Sequence, residues 1–404
     1  MCAAAKGLQS VPNVLSINGG SSSIRFAVFN TDRPPAVLLR GKIERIGSDA
    51  PSLIIDGVDS RPSTAIGAYG RDHESAVTYL LDWLAAQPLF ATVGAVGHRV
   101  VHGMLRSAPQ RVTAELLQEL QRIVPFDPEH LPREIELIQA VGRRHPQLPQ
   151  VVCFDTAFHS TMPRVATQLP IPRRFEARGV RRYGFHGLSY TYLVEELRRL
   201  GDPAIVNGRV ILAHLGGGAS LAAVRDGRSV DTSMGFTPAA GLVMATRSGD
   251  LDPGLMSFLA LSDAMQPQQF QTMVNHESGM RGISETSGDV RDLLERQGKD
   301  VRAAEAIELF CYQAKKWVGA FAAVLGGLDT LVFAGGIGEN SAPVRARICA
   351  GLHFLGIDID DSLNNLNKQL ISRDAGSVAV RVIRTDEESV IADSSIRVLG
   401  LNRT

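Results

Sequence analysis

The chain has 404 residues, of which 42 are Lys or Arg, 42 are Asp or Glu, and 44% are hydrophobic. A charge-balanced chain of this length buries a sizeable core, more often in two domains than in one. The composition excludes a disordered chain and a polybasic nucleic-acid coat. Uncharged stretches such as 232–246 and 317–328 are shorter than the roughly 20 apolar residues of a membrane span.

The cysteines and the N-terminal residues indicate the compartment. Four cysteines lie far apart without a CxxC pair, which argues against a zinc site and a disulfide framework. Residues 1–12 carry one charge and no continuous apolar segment of the kind found in secretory signals. We therefore expect a cytoplasmic protein with neither nucleic-acid nor membrane partners.

The first part of the chain predicts a β-hairpin followed by strands and helices. Residues 14–17 and 24–29 are apolar or alternate with a period of two, and they flank a Gly-bearing turn at 18–23. Further strands are predicted at 53–55, 95–101 and 151–154, and helices at 75–84, 113–123 and 132–143. Thr113 is a suitable N-cap for the second of these helices.

The second half repeats the opening pattern. Strand 210–213 runs into the Gly-rich turn 214–218, followed by strands at 219–224 and 228–231. Because strand, Gly-rich turn and strand occur twice, about 200 residues apart, the pattern predicts an internally duplicated α/β fold with a cleft between the halves. Later predicted elements are a helix at 302–325 that stops at Gly326, strands at 330–334 and 379–383, and a terminal helix from about 389.

Three Gly-rich turns, at 18–23, 214–218 and 335–340, can each present successive backbone N–H groups to phosphate oxygens. Of the 39 glycines, 18 lie between Gly216 and Gly338. Each turn taken alone is more often an ordinary turn, but three of them suggest a nucleotide. The chain has neither a GxxxxGK[ST] loop nor GxGxxG spacing at a βαβ unit, which argues against the P-loop and dinucleotide-binding classes.

Four polar side chains in defined motifs could carry chemistry. Arg99 and Arg247 could each grip an oxyanion through two N–H groups. Asp155 ends an apolar strand, as a magnesium ligand or a base would, and His186 lies between glycines that permit close approach of a ligand. A surface ion pair is the commoner use of such an arginine, and most lone histidines are structural. An aspartate at a strand end serves equally often as a cap of the following segment.

Eight motifs, in the same order, resemble those of the acetate kinase family, which belongs to a superfamily that also contains sugar kinases, hexokinase and actin. They start at Asn18 (NGGSSS), Gly97 (GHRVVHG), Phe154 (FDTAFH), Arg182 (RYGFHG), His214 (HLGGG), Asp231 (DTSMGFTP), Thr246 (TRSGDLDP) and Gly335 (GGIGENS). The similarity spans almost the whole chain. It implies an α/β, duplicated actin-like (ribonuclease H-like) two-domain fold with an interdomain cleft. Residues 1–156 and 388–404 would form the N-terminal domain, and 157–387 a C-terminal domain with most of the nucleotide site.

The resemblance also implies an activity and a set of site residues. The reaction is reversible in-line transfer of the ATP γ-phosphoryl group to acetate, giving acetyl phosphate and ADP. It would require Mg²⁺, for which Mn²⁺ can substitute, and would take place in a homodimer. By resemblance, Asn18 and Glu387 hold the metal with Asp155 assisting, Arg99 and Arg247 grip the carboxylate and the phosphoryl group, and His186 and Arg247 stabilise the transition state.

The implied ligand pockets comprise two further groups. The residues around acetate are Arg99, Val101, Phe126, Phe185 and Pro238. The residues around the nucleotide are Ser21, Ser23, Arg25, His214, Leu215, Gly216, Gly217, Gly218, Asp289, Val290, Arg291, Gly335, Gly336, Ile337, Gly338 and Asn340.

The chain departs from the family pattern at several positions. Arg25 replaces a Lys, Gly19 an Ala and Gly217 an Asn, and residues 188–190 read Leu-Ser-Tyr where the family has Thr-Ser-His. The segment 125–128 lacks the usual His and has a Phe in place of Leu. We expect this ring to shrink the acyl pocket and to favour acetate over propionate and butyrate.

Three other functions remain open from the sequence. A propionate or butyrate kinase of the same family would share these motifs. A non-catalytic nucleotide-binding switch on the actin-like fold would keep the Gly-rich turns without needing both Arg99 and Arg247. A pseudoenzyme is suggested by Gly217 and the altered 125–128 segment, although the retained polar motif residues argue against it.

Overall fold

The computed structural model describes residues 12–20, 22–56 and 63–401, which form two compact units. The first unit runs to Ala157 and resumes at Asp386, and the second comprises Phe158–Thr385. Within the described ranges, no helix is long and apolar enough to cross a membrane.

The strands and helices follow one another along the chain in the order of their sequence positions. The strands are β1 (Asn13–Gly19), β2 (Ser23–Phe29), β3 (Val37–Glu44), β4 (Ser52–Asp56), β5 (Thr64–Ala65), β6 (Val93–Val100), β7 (Gln110–Arg111), β8 (Gln150–Phe154), β9 (Arg209–Leu215), β10 (Ala219–Arg225), β11 (Arg228–Thr232), β12 (Thr330–Ala334) and β13 (Ala379–Val382). The helices are α1 (His73–Ala85), α2 (Ala114–Arg122), α3 (Leu131–Arg144), α4 (Arg164–Thr167), α5 (Gly187–Arg199), α6 (Ala204–Asn207), α7 (Gly254–Ser262), α8 (Pro267–Thr272), α9 (Gly279–Ser284), α10 (Val290–Arg296), α11 (Val301–Leu325), α12 (Gly335–Asn340), α13 (Ala342–Cys349), α14 (Asp361–Asn365) and α15 (Glu387–Leu399).

The first unit is built on a sheet with the strand order β5-β4-β3-β2-β1-β6-β8-β7. Successive side chains of β1 point to opposite faces of this sheet, and each face packs against helices. Leu15 and Ile17 belong to a core cluster with residues of α1 and α3. Val14 instead belongs to a cluster with Ala392 and Ile396 of the chain's last helix, α15.

The second unit is built on a sheet with the order β11-β10-β9-β12-β13. Tyr190 and Leu193 of α5 pack in a core cluster with Leu212 and Val332 of the sheet. The long helix α11 also packs on β9 and β10. It ends where predicted, at Gly326, whose φ of +70° suits a residue without a Cβ.

The two sheets share one arrangement of strands. In each, three antiparallel strands (β3-β2-β1 and β11-β10-β9) continue into two parallel ones (β6-β8 and β12-β13). The predicted hairpin pairs β1 with β2, and its counterpart pairs β9 with β10. This repetition confirms the predicted internal duplication of an α/β unit.

Two local predictions need correction. The terminal helix starts at Glu387, two residues before the predicted start, because the Asp386 side chain accepts from Ser389 N–H and caps it. Residues 335–340, predicted as a turn, form the short helix α12 directly after β12. Gly335, at φ +74°, makes the sharp change of direction that this succession requires.

Candidate active site

Arg99 lies near the end of β6 and forms a buried ion pair. Its Nε and Nη2 donate to Asp155 Oδ2 at 3.0 and 2.6 Å, and its Nη1 donates to the carbonyl of Gly19 at 3.2 Å. The two side chains are 15% and 1% exposed. Strands β6 and β8 are parallel neighbours, so their carboxyl ends bring these two motifs together.

The electrostatic surroundings keep Arg99 charged. Burial alone would lower its pKa, but the nearby acidic groups, Asp155 first and then Glu387 and Glu134, raise it well above the usual value. A cation held in this way at a strand end can bind a small anion.

Asn18, at the end of β1, contacts the first turn of α15. Its Nδ2 donates to Glu387 Oε2 at 2.7 Å and to Glu388 Oε1 at 3.1 Å. Burial raises the pKa of Glu388 and the charge of Glu387 raises it further, whereas the charge of Arg25 lowers it. The structure therefore joins the two expected metal ligands and places Arg25 near them.

The Asn18 amide and the Glu387 carboxylate have oxygen atoms of the kind that a hard divalent cation binds. Within the described ranges, no group of three or more His, Cys, Asp or Glu side chains is arranged to hold a metal. Mg²⁺ usually keeps several waters and binds one or two carboxylates together with substrate phosphates. The Asn18 amide and the Glu387 carboxylate fit that chemistry better than a tetrahedral zinc site.

In the second unit, His186 lies beside other predicted site residues. It has φ +59° and directly precedes α5. Its Nδ1 lies 2.8 Å from Ser220 Oγ, and its ring stacks on His214 with a centroid distance of 4.3 Å. These contacts fix the plane of the imidazole, which is the requirement for a directed hydrogen-bond donor.

Arg247 meets His186 at the glycine loop 216–218. A Cβ at Gly218 would lie 3.3 Å from His186 Nε2 and 3.5 Å from Arg247 Nη1. The guanidinium donates to the carbonyl of Pro238 at 3.3 Å and contacts Met244 Sδ at 3.8 Å. Two side chains from separate motifs thus converge on one backbone position.

We expect Gly218→Ala to reduce kcat roughly tenfold, because the added methyl must displace the His186 ring by a few tenths of an ångström and would lie in contact with Arg247. Steady-state assays of the purified variant measure this. Gly319→Ala, inside α11 with open space around the position, is the matched control and should keep full activity. A Gly218→Ala enzyme as fast as wild type would show that the convergence has no role in turnover.

The second and third glycine segments also touch. A Cβ at Gly335 would lie 2.7 Å from the carbonyl oxygen of Leu215, and one at Gly216 would lie 4.0 Å from Gly336 N. Glu339 Oε1 accepts from the N–H groups of Gly335 and Thr385 and so holds the turn into α12. The backbones of the two segments therefore lie close together, as a common site for several phosphates requires.

The remaining predicted nucleotide residues are less closely grouped. Asp289 caps α10 and pairs with Arg291, whose side chain is 86% exposed. Their segment adjoins the Arg247 loop, because a Cβ at Gly288 would lie 2.6 Å from the carbonyl oxygen of Ala245. The side chains of Leu215 and Val290 are buried, and that of Ile337 is half-buried. The Asn340 side-chain amide donates to the carbonyl of Gly336, and the backbone carbonyl of Ser23 accepts from Gly20 N–H. Ser21 lies outside the described residues.

The predicted acyl-pocket residues lie on both units. Val101 is buried directly after β6, and the half-buried Phe126 ring lies 5.7 Å from that of His102. Burial lowers the pKa of His102 to about 4, so this ring is neutral. Phe185 is 1% exposed within the second unit, where its carbonyl accepts from His159.

Comparison with known proteins decides the family. The model of the acetokinase family matches residues 13–393. The chain belongs to the acetokinase family. It is accordingly an ATP-dependent kinase with the duplicated actin-like α/β fold that the sequence predicted.

Its acetokinase relatives differ in the carboxylate named for them. The acetate kinase of Methylocella silvestris is 42% identical over 397 residues, covering 96% of this chain and 98% of that protein. The propionate kinase of Citrobacter rodentium is also 42% identical, over 95% and 96% of the two chains. A crystal structure of acetate kinase from Porphyromonas gingivalis has a TM-score of 0.85 at 34% identity, covering 96% of this chain and all of that one.

One acidic residue beside Arg99 was missed from the sequence of this acetokinase. Glu134 in α3 is 3% exposed and accepts from Val101 N–H at 3.0 Å. Burial raises its pKa to about 8, although Arg99 and the Val101 bond act in the opposite direction. Its position among Leu131, Ile135 and Ile138, on the apolar face of the predicted helix, was the available signal.

Proposed function

We propose that this kinase transfers the γ-phosphoryl group of ATP to acetate, reversibly and in line, giving acetyl phosphate and ADP. The observation that carries the proposal is the convergence of His186 and Arg247 on Gly218. A histidine and an arginine beside a Gly-rich loop form a donor set suited to a transferring phosphoryl group.

The chemistry explains why no general base is needed. Acetate is already an anion, so the difficulty is to bring two negative groups together in the correct orientation. Arg99 would hold the acceptor carboxylate, anchored by Asp155. Arg247 and His186 would neutralise charge on the phosphoryl oxygens as the group moves from donor to acceptor.

We assign the remaining roles along the same lines. Asn18 and Glu387 would hold Mg²⁺, with Asp155 nearby and Mn²⁺ able to substitute. When bound, the ion would neutralise phosphate charge. The glycine segments 214–218 and 335–340 and the segment 289–291 would bind ATP. The described cysteines are buried free thiols, which suits a reducing cytoplasm.

The test is a hydroxamate assay for acyl phosphate, with purified protein, ATP, Mg²⁺ and a series of carboxylates. We expect a signal with acetate that disappears when ATP or the divalent ion is omitted. Absence of acyl phosphate with every acid, together with measurable ATP binding, would favour a nucleotide-binding switch or a pseudoenzyme.

We expect kcat/KM to be higher for acetate than for propionate and butyrate. Phe126 stands where the family has a smaller side chain, and one methylene in an apolar pocket changes binding by about 1 to 3 kcal/mol. Phe126→Leu should therefore raise the propionate-to-acetate ratio of kcat/KM. A wild-type preference for propionate would establish instead the second candidate, a propionate kinase, which the relative of equal identity favours.

We also propose that the protein is a homodimer formed through α7. This helix has no buried residue, and Phe258 and Leu261 are 63% and 89% exposed. Apolar side chains exposed in this way along one helix are typical of subunit interfaces. Leu261→Glu should yield a monomer in light scattering, whereas Val165→Glu, at an 85% exposed position elsewhere, should leave the dimer intact.

A further inference from the structure

A buried carboxyl group accepts a hydrogen bond from the residue that follows the strand carrying Arg99. Glu134 lies in the first turn of α3, and its Oε2 accepts from the N–H of Val101, the residue that follows β6. The carboxyl group therefore takes a backbone hydrogen bond at the point where strand pairing ends.

The carbonyl of the same peptide group, between Val100 and Val101, has a partner of its own. The carbonyl of Val100 accepts from Asp155 N–H at 3.0 Å, and the Asp155 carboxylate accepts from the Arg99 guanidinium. The C=O and the N–H of this one peptide group thus have partners on different elements, Asp155 after β8 and Glu134 on α3. Together these partners determine the direction in which the strand ends.

Core packing alone does not account for an acid at this position. Leu131, Ile135 and Ile138 around Glu134 belong to an apolar cluster, and Glu134 Oε1 has no hydrogen-bond partner among the described residues. Burial of a carboxyl group in such surroundings costs free energy. An apolar side chain of similar volume would avoid that cost but would leave Val101 N–H without its acceptor.

We propose that Glu134 is a positioning residue for phosphoryl transfer: it holds the Val101 amide and thereby fixes the strand end from which Arg99 reaches the acceptor. This inference rests on the proposed function and on the role of Arg99 in it. A displacement of about 1 Å in a group that positions a substrate lowers rates on the order of a hundredfold. Loss of the Val101 contact should therefore slow turnover and leave nucleotide affinity unchanged.

Two substitutions separate the hydrogen-bond acceptor from the ionisable carboxyl group. Glu134→Gln keeps an oxygen that can accept from Val101 N–H, and a cavity of about 10 Å³ lined by Glu134 has room for one water to bond its amide. Glu134→Leu keeps the approximate volume and removes the acceptor. Glu136→Leu, at a partly exposed position on the same helix, is the matched control.

The experiment combines acyl phosphate kinetics, ADP binding by calorimetry and thermal melting. For Glu134→Leu we expect kcat/KM for acetate to fall about ten- to a hundredfold, with unchanged ADP affinity. Glu134→Gln and Glu136→Leu should remain close to wild type. A folded Glu134→Leu enzyme with the wild-type rate would overturn the inference, as would a Gln variant as slow as the Leu variant.

If the Glu134→Leu variant does not fold, a substitution by the shorter amide side chain of Asn tests the positioning role. Glu134→Asn carries its oxygen one methylene too far back to reach Val101 N–H, so it should be slow where the Gln variant is active. Equal rates for these two variants would refute the positioning role. A wild-type enzyme that forms no acyl phosphate would count against the proposed function instead.

Discussion

Replacement of Arg247 by Ala is expected to lower kcat about a hundred- to a thousandfold, which corresponds to about 3 to 4 kcal/mol of transition-state stabilisation. The guanidinium lies with His186 at Gly218, oriented by the carbonyl of Pro238 and the sulfur of Met244. Its contribution is greatest when charge spreads over the transferring phosphoryl group, so KM for ATP should change much less than kcat. Steady-state kinetics at saturating substrates measure this.

Two comparison variants define what the loss means. Arg247→Lys keeps the charge but not the planar pair of donors, so its rate should lie between those of wild type and the Ala variant. Arg164→Ala removes an arginine of the same unit that is 64% exposed in a surface ion pair, and it should keep full activity. Turnover by Arg247→Ala close to that of wild type would refute the assigned role.

Arg99→Ala is expected to impair both catalysis and stability. The loss of kcat should again be about a hundred- to a thousandfold, because the acceptor carboxylate loses the guanidinium that binds it. In addition, Asp155, 1% exposed, would lose a partner that donates two hydrogen bonds to it. Breaking one side of such a buried pair lowers the free energy of unfolding by about 3 to 5 kcal/mol, which urea denaturation detects.

A second substitution at the partner distinguishes the two effects. The double variant Arg99→Ala, Asp155→Ala removes the stranded carboxylate and should regain part of the stability but none of the activity. Arg144→Ala breaks the more exposed pair with Asp82 and should cost about 0 to 1 kcal/mol without affecting turnover. An Arg99→Ala protein as stable as wild type would contradict the burial argument.

Much of the fold follows from local sequence patterns. The hairpin at 14–29 and strand 330–334 could be predicted because apolar or alternating residues are bounded by glycines. Strand β3 was missed because it begins with exposed apolar residues and mixes charge into its pattern. Helix α5 was missed as well, since no N-cap signal precedes it. The residue before it, His186, has a left-handed backbone conformation, and its side chain does not cap the helix.

The site could be predicted only in part. The arginines, the histidine and the glycine loops stand in recognisable motifs, and their roles remain predictions. The bond between Asn18 and Glu387 joins residues 369 positions apart, which no local pattern can indicate. The contact of Glu134 with Val101 depends on how α3 packs against β6, and an isolated glutamate on an apolar helix face does not identify its partner.

The covering of the first sheet by α15 has a consequence for the order of folding. Val14, Ala27 and Phe29 come from the start of the chain, but they pack against Ala392 and Ile396 near its end. During synthesis the second unit is therefore complete in sequence before the first can finish its core. Since Glu387 opens the same helix, one segment that is synthesised after the whole second unit both completes that core and carries the proposed metal ligand.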